Sequence, residues 1–157
     1  MIGDVRPEHH AKLLRLNEAF VHWLSPLDAE ALRALLGRCD YARQAGDGQA
    51  FLLGYDGDGP SRHKNVDWLS ARLGRYSYID RVVVAPEAQG LGLARRLYDD
   101  MAAWSRKRGR DCLACEVNTR PDNPGSHAFH ARLGFEVLGD ADYGDVSLRY
   151  YAKRLTG

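Results

Sequence analysis

The stretch VAPEAQGLGLAR, residues 84–95, limits the possible folds more than any other part of the chain. A valine-rich run meets Pro86, and Gly90 and Gly92 stand where a strongly periodic segment is about to begin. Consecutive valines favour extended backbone, and proline ends a strand. Glycine in a first helical turn costs stability unless something must come close to the backbone there. The following LARRLYDDMAAWSRKRG puts Leu93, Leu97, Met101 and Trp104 on one stripe, leaves Arg95, Asp99, Asp100 and Arg106 largely outside it, and stops at Gly109. DCLACEVN then reads as another strand. Strand, helix and strand in this order form a right-handed crossover between parallel strands, so the middle of the chain is an α/β unit.

The flanking segments fit a mixed α/β chain. DVRPEHHAKLLRLNEAFVHWL gives an extended piece to Arg6, then a helix opened by Pro7 with Leu13, Leu16, Phe20 and Trp23 at helical spacing. A second helix is expected from about Leu27 to Leu36, with Asp28 near its start and Gly37 at its end. CDYARQA and GQAFLLGYD form a hairpin around residues 45–48. Residues 56–74 are turn-rich and polar, with Trp68 and Leu69 as anchors, and a loop of that length is expected to be a lid or a substrate-contacting segment. SHAFHARLG reads as a short helix, and FEVLGD and VSLRYYAKRL as the last two strands.

A length of 157 residues, 45% of them hydrophobic and 27% charged, suits one globular domain over residues 1–157. Lys and Arg number 22 against 21 Asp and Glu, a balance without the electrostatic footprint of a nucleic-acid or membrane binder. With neither a secretory pattern nor a long apolar run, the cytoplasm is the expected location. Cys39, Cys112 and Cys115 are an odd set, expected as reduced thiols. Cys112 and Cys115 spell C-x-x-C, but on a strand this spacing sends them to opposite faces, and no second ligand pair follows. His9, His10, His22, His63 and His127 show no ligand spacing, and no metal is expected.

A helix start exposes unpaired amides and partial positive charge, so QGLGLAR reads as a cradle for a phosphate group. The alternative is a glycine pair that lets a helix pack closely on a strand. A P-loop is excluded because no Gly-Lys-Ser/Thr follows. The dinucleotide fingerprint is excluded because Arg95 occupies its third small position. On DCLACEVN, Glu116 shares a face with Cys112 and Ala114, a charged group beside small ones, which is where a carboxylate can become a useful base. The other reading is a structural carboxylate paired with an arginine. Asp80, before Val82, is a second candidate base.

IDRVVVAPEAQGLGLARRLYDDM (79–101) and CEVNTRPDNPGSHAFHARLGFE (115–136) resemble the GNAT superfamily of N-acetyltransferases. The resemblance implies a mixed, mostly antiparallel sheet with a central, splayed parallel strand pair and about four flanking helices. It implies that Gln89, Gly90, Gly92, Leu93, Ala94 and Arg95 form the turn that binds the pyrophosphate of acetyl-CoA. It implies further that the backbone of Val82 and Val84 pairs with the pantetheine arm, although a Val run is also what a buried parallel strand looks like. By similarity to the ribosomal-protein N-terminal acetyltransferases of the superfamily, Glu116 is the general base.

The family pattern Asn-x-x-Ala-x-x-x-Tyr-x-x-x-Gly-Phe falls on Asn123 to Phe135, with Ser126 in the Ala place and His130 in the Tyr place. Asn123 and Ser126 would then touch the cofactor, and His130 would be the general acid, or a histidine that only packs. Two residues more than in the ribosomal-protein enzymes separate Glu116 from Asn123, which detaches the acceptor from theirs. The resemblance thus implies acetyl transfer from acetyl-CoA to the primary amine of a small molecule or peptide. A CoA-binding sensor without turnover, or an enzyme for longer acyl groups, are the alternatives; dimerisation follows from the resemblance alone.

Overall fold

The computed structural model describes residues 1–60 and 62–155; Ser61, inside the segment read as a loop, and Thr156 and Gly157 lie outside the described residues. The strands are β1 (Ile2–Asp4), β2 (Tyr41–Ala45), β3 (Ala50–Asp56), β4 (Tyr76–Val84), β5 (Cys112–Arg120), β6 (Glu136–Asp142) and β7 (Ser147–Arg154). They form a seven-stranded sheet in the order β1-β2-β3-β4-β5-β7-β6. β1 with β2, β2 with β3, β5 with β7 and β6 with β7 run antiparallel, and β4 with β5 runs parallel. The described helices are α1 (His10–Ala19), α2 (Ala29–Arg38), α3 (Lys64–Ser70), α4 (Leu93–Lys107) and α5 (Pro124–Arg132). The mixed, mostly antiparallel class is the one expected, with five helices in place of about four. Among the described residues no helix is long and apolar enough to cross a membrane.

The additional helix is α3, inside the segment read as a loop. Seven residues bracketed by glycine, proline and charge carry too little periodicity to announce themselves, and tertiary contacts hold them. His63 Nδ1 caps the helix by accepting the Val66 N–H at 3.4 Å, Val66 and Leu69 are buried, and the Trp68 indole stacks on the Tyr150 ring at 4.0 Å and 10°. Helix α1 ends at Ala19, short of Phe20 and Trp23, and Asp28 caps α2 by accepting the Ala31 N–H at 2.7 Å.

The chain divides into two compact units, Met1–Tyr55 with Ile79–Met101 and Asp56–Tyr78 with Ala102–Gly157. In the first, Leu13, Leu32, Leu35, Phe51, Leu53, Val83 and Leu97 are buried. The β2–β3 turn passes through positive φ at Gly46, Asp47 and Gly48. Asp100, placed outside the apolar stripe of α4, accepts from the Tyr41 hydroxyl at 2.8 Å and from Arg43 Nη1 at 3.3 Å. Burial and this carboxylate push the Tyr41 phenol upward.

A polar network sits in the same unit. Arg81, 9% exposed, donates from Nε to Asp80 Oδ1 at 2.8 Å, from Nη1 to Asn17 Oδ1 at 2.9 Å, and from Nη2 to Ser25 Oγ at 3.1 Å. The Tyr55 hydroxyl donates to the second Asp80 oxygen at 2.9 Å.

In the second unit, Tyr76, Ser77 and Tyr78 pair in parallel with Cys112, Leu113 and Ala114. Ser77 and Ser105 share a buried hydroxyl contact at 2.7 Å, and Arg108 grips Asp56 through two bonds at 2.6 and 2.7 Å. Cys112 and Cys115 are buried and unbridged; burial pushes the Cys112 thiol up to about 11 and the Cys115 thiol upward as well. Both thiols pack inside the unit.

The Arg81 network makes a direct prediction for stability. Removing the guanidinium takes a donor from buried Asn17 and from half-buried Asp80, and breaking one partner out of such a network costs several kcal/mol. Arg81→Ala is expected to lower unfolding free energy by about 3 kcal/mol in a urea titration, against about 1 kcal/mol for Tyr55→Phe.

Candidate active site

The turn between β4 and α4 is built by Pro86, which starts a single 3-10 turn over Pro86–Ala88, and by Gly90 and Gly92, with φ of +86° and +78°. Side chains rarely tolerate such φ values. A Cβ built at either glycine meets nothing within 4 Å, so close helix packing does not explain them. The space in front of the backbone is open. Leu93, Ala94 and Arg95 are the first residues of α4, and their amides have no partner within their own helix. Gln89, Gly90 and Arg95 are exposed, while the Leu93 side chain turns into the core. An uncovered run of amides at the positive end of a fifteen-residue helix fits a diphosphate. Ahead of the turn, Val82 and Val84 are half-buried and alternate with buried Arg81 and Val83.

In the second unit, Glu116 is half-buried on β5 and stands opposite Tyr150 of β7. The Tyr78 hydroxyl, whose residue is buried, donates to Glu116 Oε1 at 2.6 Å. The Tyr150 hydroxyl donates to Asn65 Oδ1 at 2.7 Å and meets the Tyr143 hydroxyl at 2.7 Å. Burial, with the Tyr143 hydrogen bond and the nearby carboxylate of Glu116, pushes the Tyr150 phenol upward. Asp80, the other candidate base, lies in the first unit with its oxygens on Arg81 and Tyr55. The description of a carboxylate paired with an arginine therefore fits Asp80.

The segment after β5 is ordered. Thr119 bridges to Asp122, and the Asn123 N–H donates to the Asn118 carbonyl at 3.2 Å. Asn123 caps α5, its Oδ1 accepting the Ser126 N–H at 3.4 Å. His130, 3% exposed, packs among Phe129, Phe135 and Tyr151. Its Nδ1 lies 2.8 Å from the Ser126 carbonyl, and a carbonyl only accepts, so Nδ1 carries the proton. Burial moves its pKa below the ordinary histidine value.

His127, set aside in the sequence, joins three elements. It approaches the Tyr151 hydroxyl through Nδ1 at 2.5 Å, the Asn118 carbonyl through Nε2 at 2.8 Å, and Asp122 at 3.5 Å. Tyr78 was missed as well. The alternation of RYSYID hinted that Tyr76 and Tyr78 share a face, but no local pattern says which β5 residue stands near them. Among the described residues no group of three or more His, Cys, Asp or Glu side chains is arranged to hold a metal ion.

Residues 63–135 match the acetyltransferase (GNAT) family. A 5-NmdU N-acetyltransferase of Pseudomonas phage PaMx11 is 38% identical over 58 residues, which is 37% of this chain and 38% of that protein. The alignment therefore spans well under half of that relative. Ard1 from Thermoplasma volcanium superposes with a TM-score of 0.78 at 15% identity, covering 100% of this chain and 98% of that one. NAA60 of Arabidopsis thaliana, solved with acetyl-CoA, superposes with a TM-score of 0.73 at 11% identity, covering 98% of this chain and 97–98% of that one when its bisubstrate-analogue complex is included. The match to the acetyltransferase (GNAT) family thus lies in residues 63–135, and the fold along the chain is that of Ard1 and NAA60.

Proposed function

We propose that this chain is an N-acetyltransferase that carries an acetyl group from acetyl-CoA to a primary amine, with residues 1–157 acting as one catalytic domain. The observation that carries the reading is the open backbone at Gly90 and Gly92 in front of α4. The amides of Gly90, Gly92, Leu93, Ala94 and Arg95 would hold the pyrophosphate, with Gln89 at the rim of the turn. The backbone of Val82 and Val84 would pair with the pantetheine arm, and Asn123 and Ser126 would contact it from the start of α5. The relative's name gives its substrate as 5-NmdU, and an amine on a small molecule or a peptide is the acceptor class proposed here. The buried reduced thiols suit a reducing compartment supplied with acetyl-CoA, the cytoplasm.

Transfer from sulfur to nitrogen asks for removal of a proton from the ammonium, a donor for the oxyanion, and a proton for the departing thiolate. Glu116 takes the first role. A backbone N–H within residues 82–84 serves the second. His130 stands where the resemblance puts the acid, and the structure limits what it can give. With Nδ1–H committed to Ser126 and burial favouring the neutral ring, the imidazolium is scarce near neutral pH. A free thiol has a pKa of ~8.5, so the leaving group needs little help, and His130 assists without being essential.

Calorimetry with acetyl-CoA, and CoA release over a panel of an alanine-terminated peptide, spermidine and 5-NmdU, test the reading. Gly90→Val is expected to weaken acetyl-CoA binding by about tenfold or more through lost amide contacts. Glu116→Gln is expected to keep that binding and lose about 100-fold or more in turnover. Tight binding with no release from any amine would instead favour a CoA sensor, and binding that strengthens with acyl length a longer-chain enzyme.

The His130 contribution has a defined sign in pH. It is present when the ring is charged and is lost as pH rises through a value below ~6.5. His130→Phe should therefore match the parent within about threefold at pH 8, with the gap widening toward pH 6.

A further inference from the structure

Glu116 faces two phenols, and their hydrogen bonds are directional. Asn65 Oδ1 can only accept, so the Tyr150 proton is spent on Asn65, and Tyr143 must donate to the Tyr150 oxygen. The Tyr78 hydroxyl donates into the carboxylate, at 2.6 Å. Its ring cannot swing away easily. Tyr78 is 1% exposed, and the His63 ring lies against it at 5.3 Å and 60°. His63 is itself fixed as the cap of α3.

Two cations border this arrangement, Lys64 in α3 and Arg72 just beyond its end. Arg72 lies over the Trp68 ring at 3.5 Å and Lys64 over the Tyr143 ring at 4.1 Å. The Cys115 thiol, next along β5, is pushed up by burial and by the Glu116 charge.

We propose that Tyr78 is a positioning residue for the base: its hydroxyl aims the Glu116 carboxylate and favours its anionic, proton-accepting form. The proposal rests on Glu116 as the base and adds to it the group that keeps it ready. A short bond from a neutral hydroxyl to a carboxylate stabilises the charged form, and a buried donor holds one geometry. Tyr78 acts through Glu116 and takes no proton itself.

Tyr78→Phe keeps the buried ring and deletes only the donor. Carbon-13 NMR of labelled glutamate side chains, with the Glu116 signal assigned by its loss in Glu116→Gln, follows the carboxyl without any acceptor amine. The expected result is a Glu116 titration midpoint about one pH unit higher in Tyr78→Phe, with acetyl-CoA affinity unchanged. In turnover assays the same variant should lower kcat and move the acid limb of its pH profile upward, at unchanged acetyl-CoA KM. Incorporating 3-fluorotyrosine in place of Tyr78 makes a stronger donor and should move the midpoint down; it serves if the phenylalanine variant does not fold. A midpoint unmoved in a folded Tyr78 variant overturns the proposal. Retained turnover in Glu116→Gln would overturn the base assignment instead, so the two failures are distinguishable.

Discussion

A polar group taken out of water must find a partner within the fold, and β4 takes several of them inside. Ser77, Tyr78, Asp80 and Arg81 lie in nine residues of strand, and each is bonded to a distant segment of chain. Ser77 meets Ser105 of α4, Tyr78 meets Glu116 of β5, Asp80 meets Tyr55 of β3, and Arg81 gathers Asn17 and Ser25. An unmade bond at such a site costs more than a made one gains, so these contacts select one arrangement from the many that burying valine alone would allow. The strand that precedes the glycine turn is thereby held by directional bonds as well as by packing.

That rigidity bears on the chemistry. The proposed diphosphate cradle needs the turn that presents its amides to stay clear, and Gly90 and Gly92 put no side chain in the way. The proposed base, Glu116, needs a fixed carboxylate direction, and the Tyr78 hydroxyl donates to it. The proposed chemistry thus asks more of hydrogen-bond geometry than of unusual residue types. His130 shows the same logic in reverse, since the bond that orients its ring also uses the proton on Nδ1.

The segment over residues 56–74 shows how packing overrides local sequence. Its turn residues are real, but between them Val66 and Leu69 find a core and Trp68 finds Tyr150, and seven residues become a helix. Asp80 and Glu116 show a second limit. Both are carboxylates on strands beside apolar residues, and local pattern left either free to be the base. Only the tertiary structure places Arg81 and Tyr55 around the first and Tyr78 and Tyr150 beside the second.

By itself the sequence determined what depends on neighbours along the chain. The Val run, proline, glycine pair and apolar stripe specify a strand, a turn and a helix because periodicity and backbone preference are local quantities. The hairpin at residues 45–48, the cap at Asp28 and the order of the last elements were legible for the same reason. Tertiary structure alone decided the strand register that puts Tyr78 beside Ala114 and brings its hydroxyl to Glu116, the burial that keeps His130 neutral, and the role of His127. Those depend on which distant atoms share a small, dry volume, and no run of residues encodes that without the fold around it.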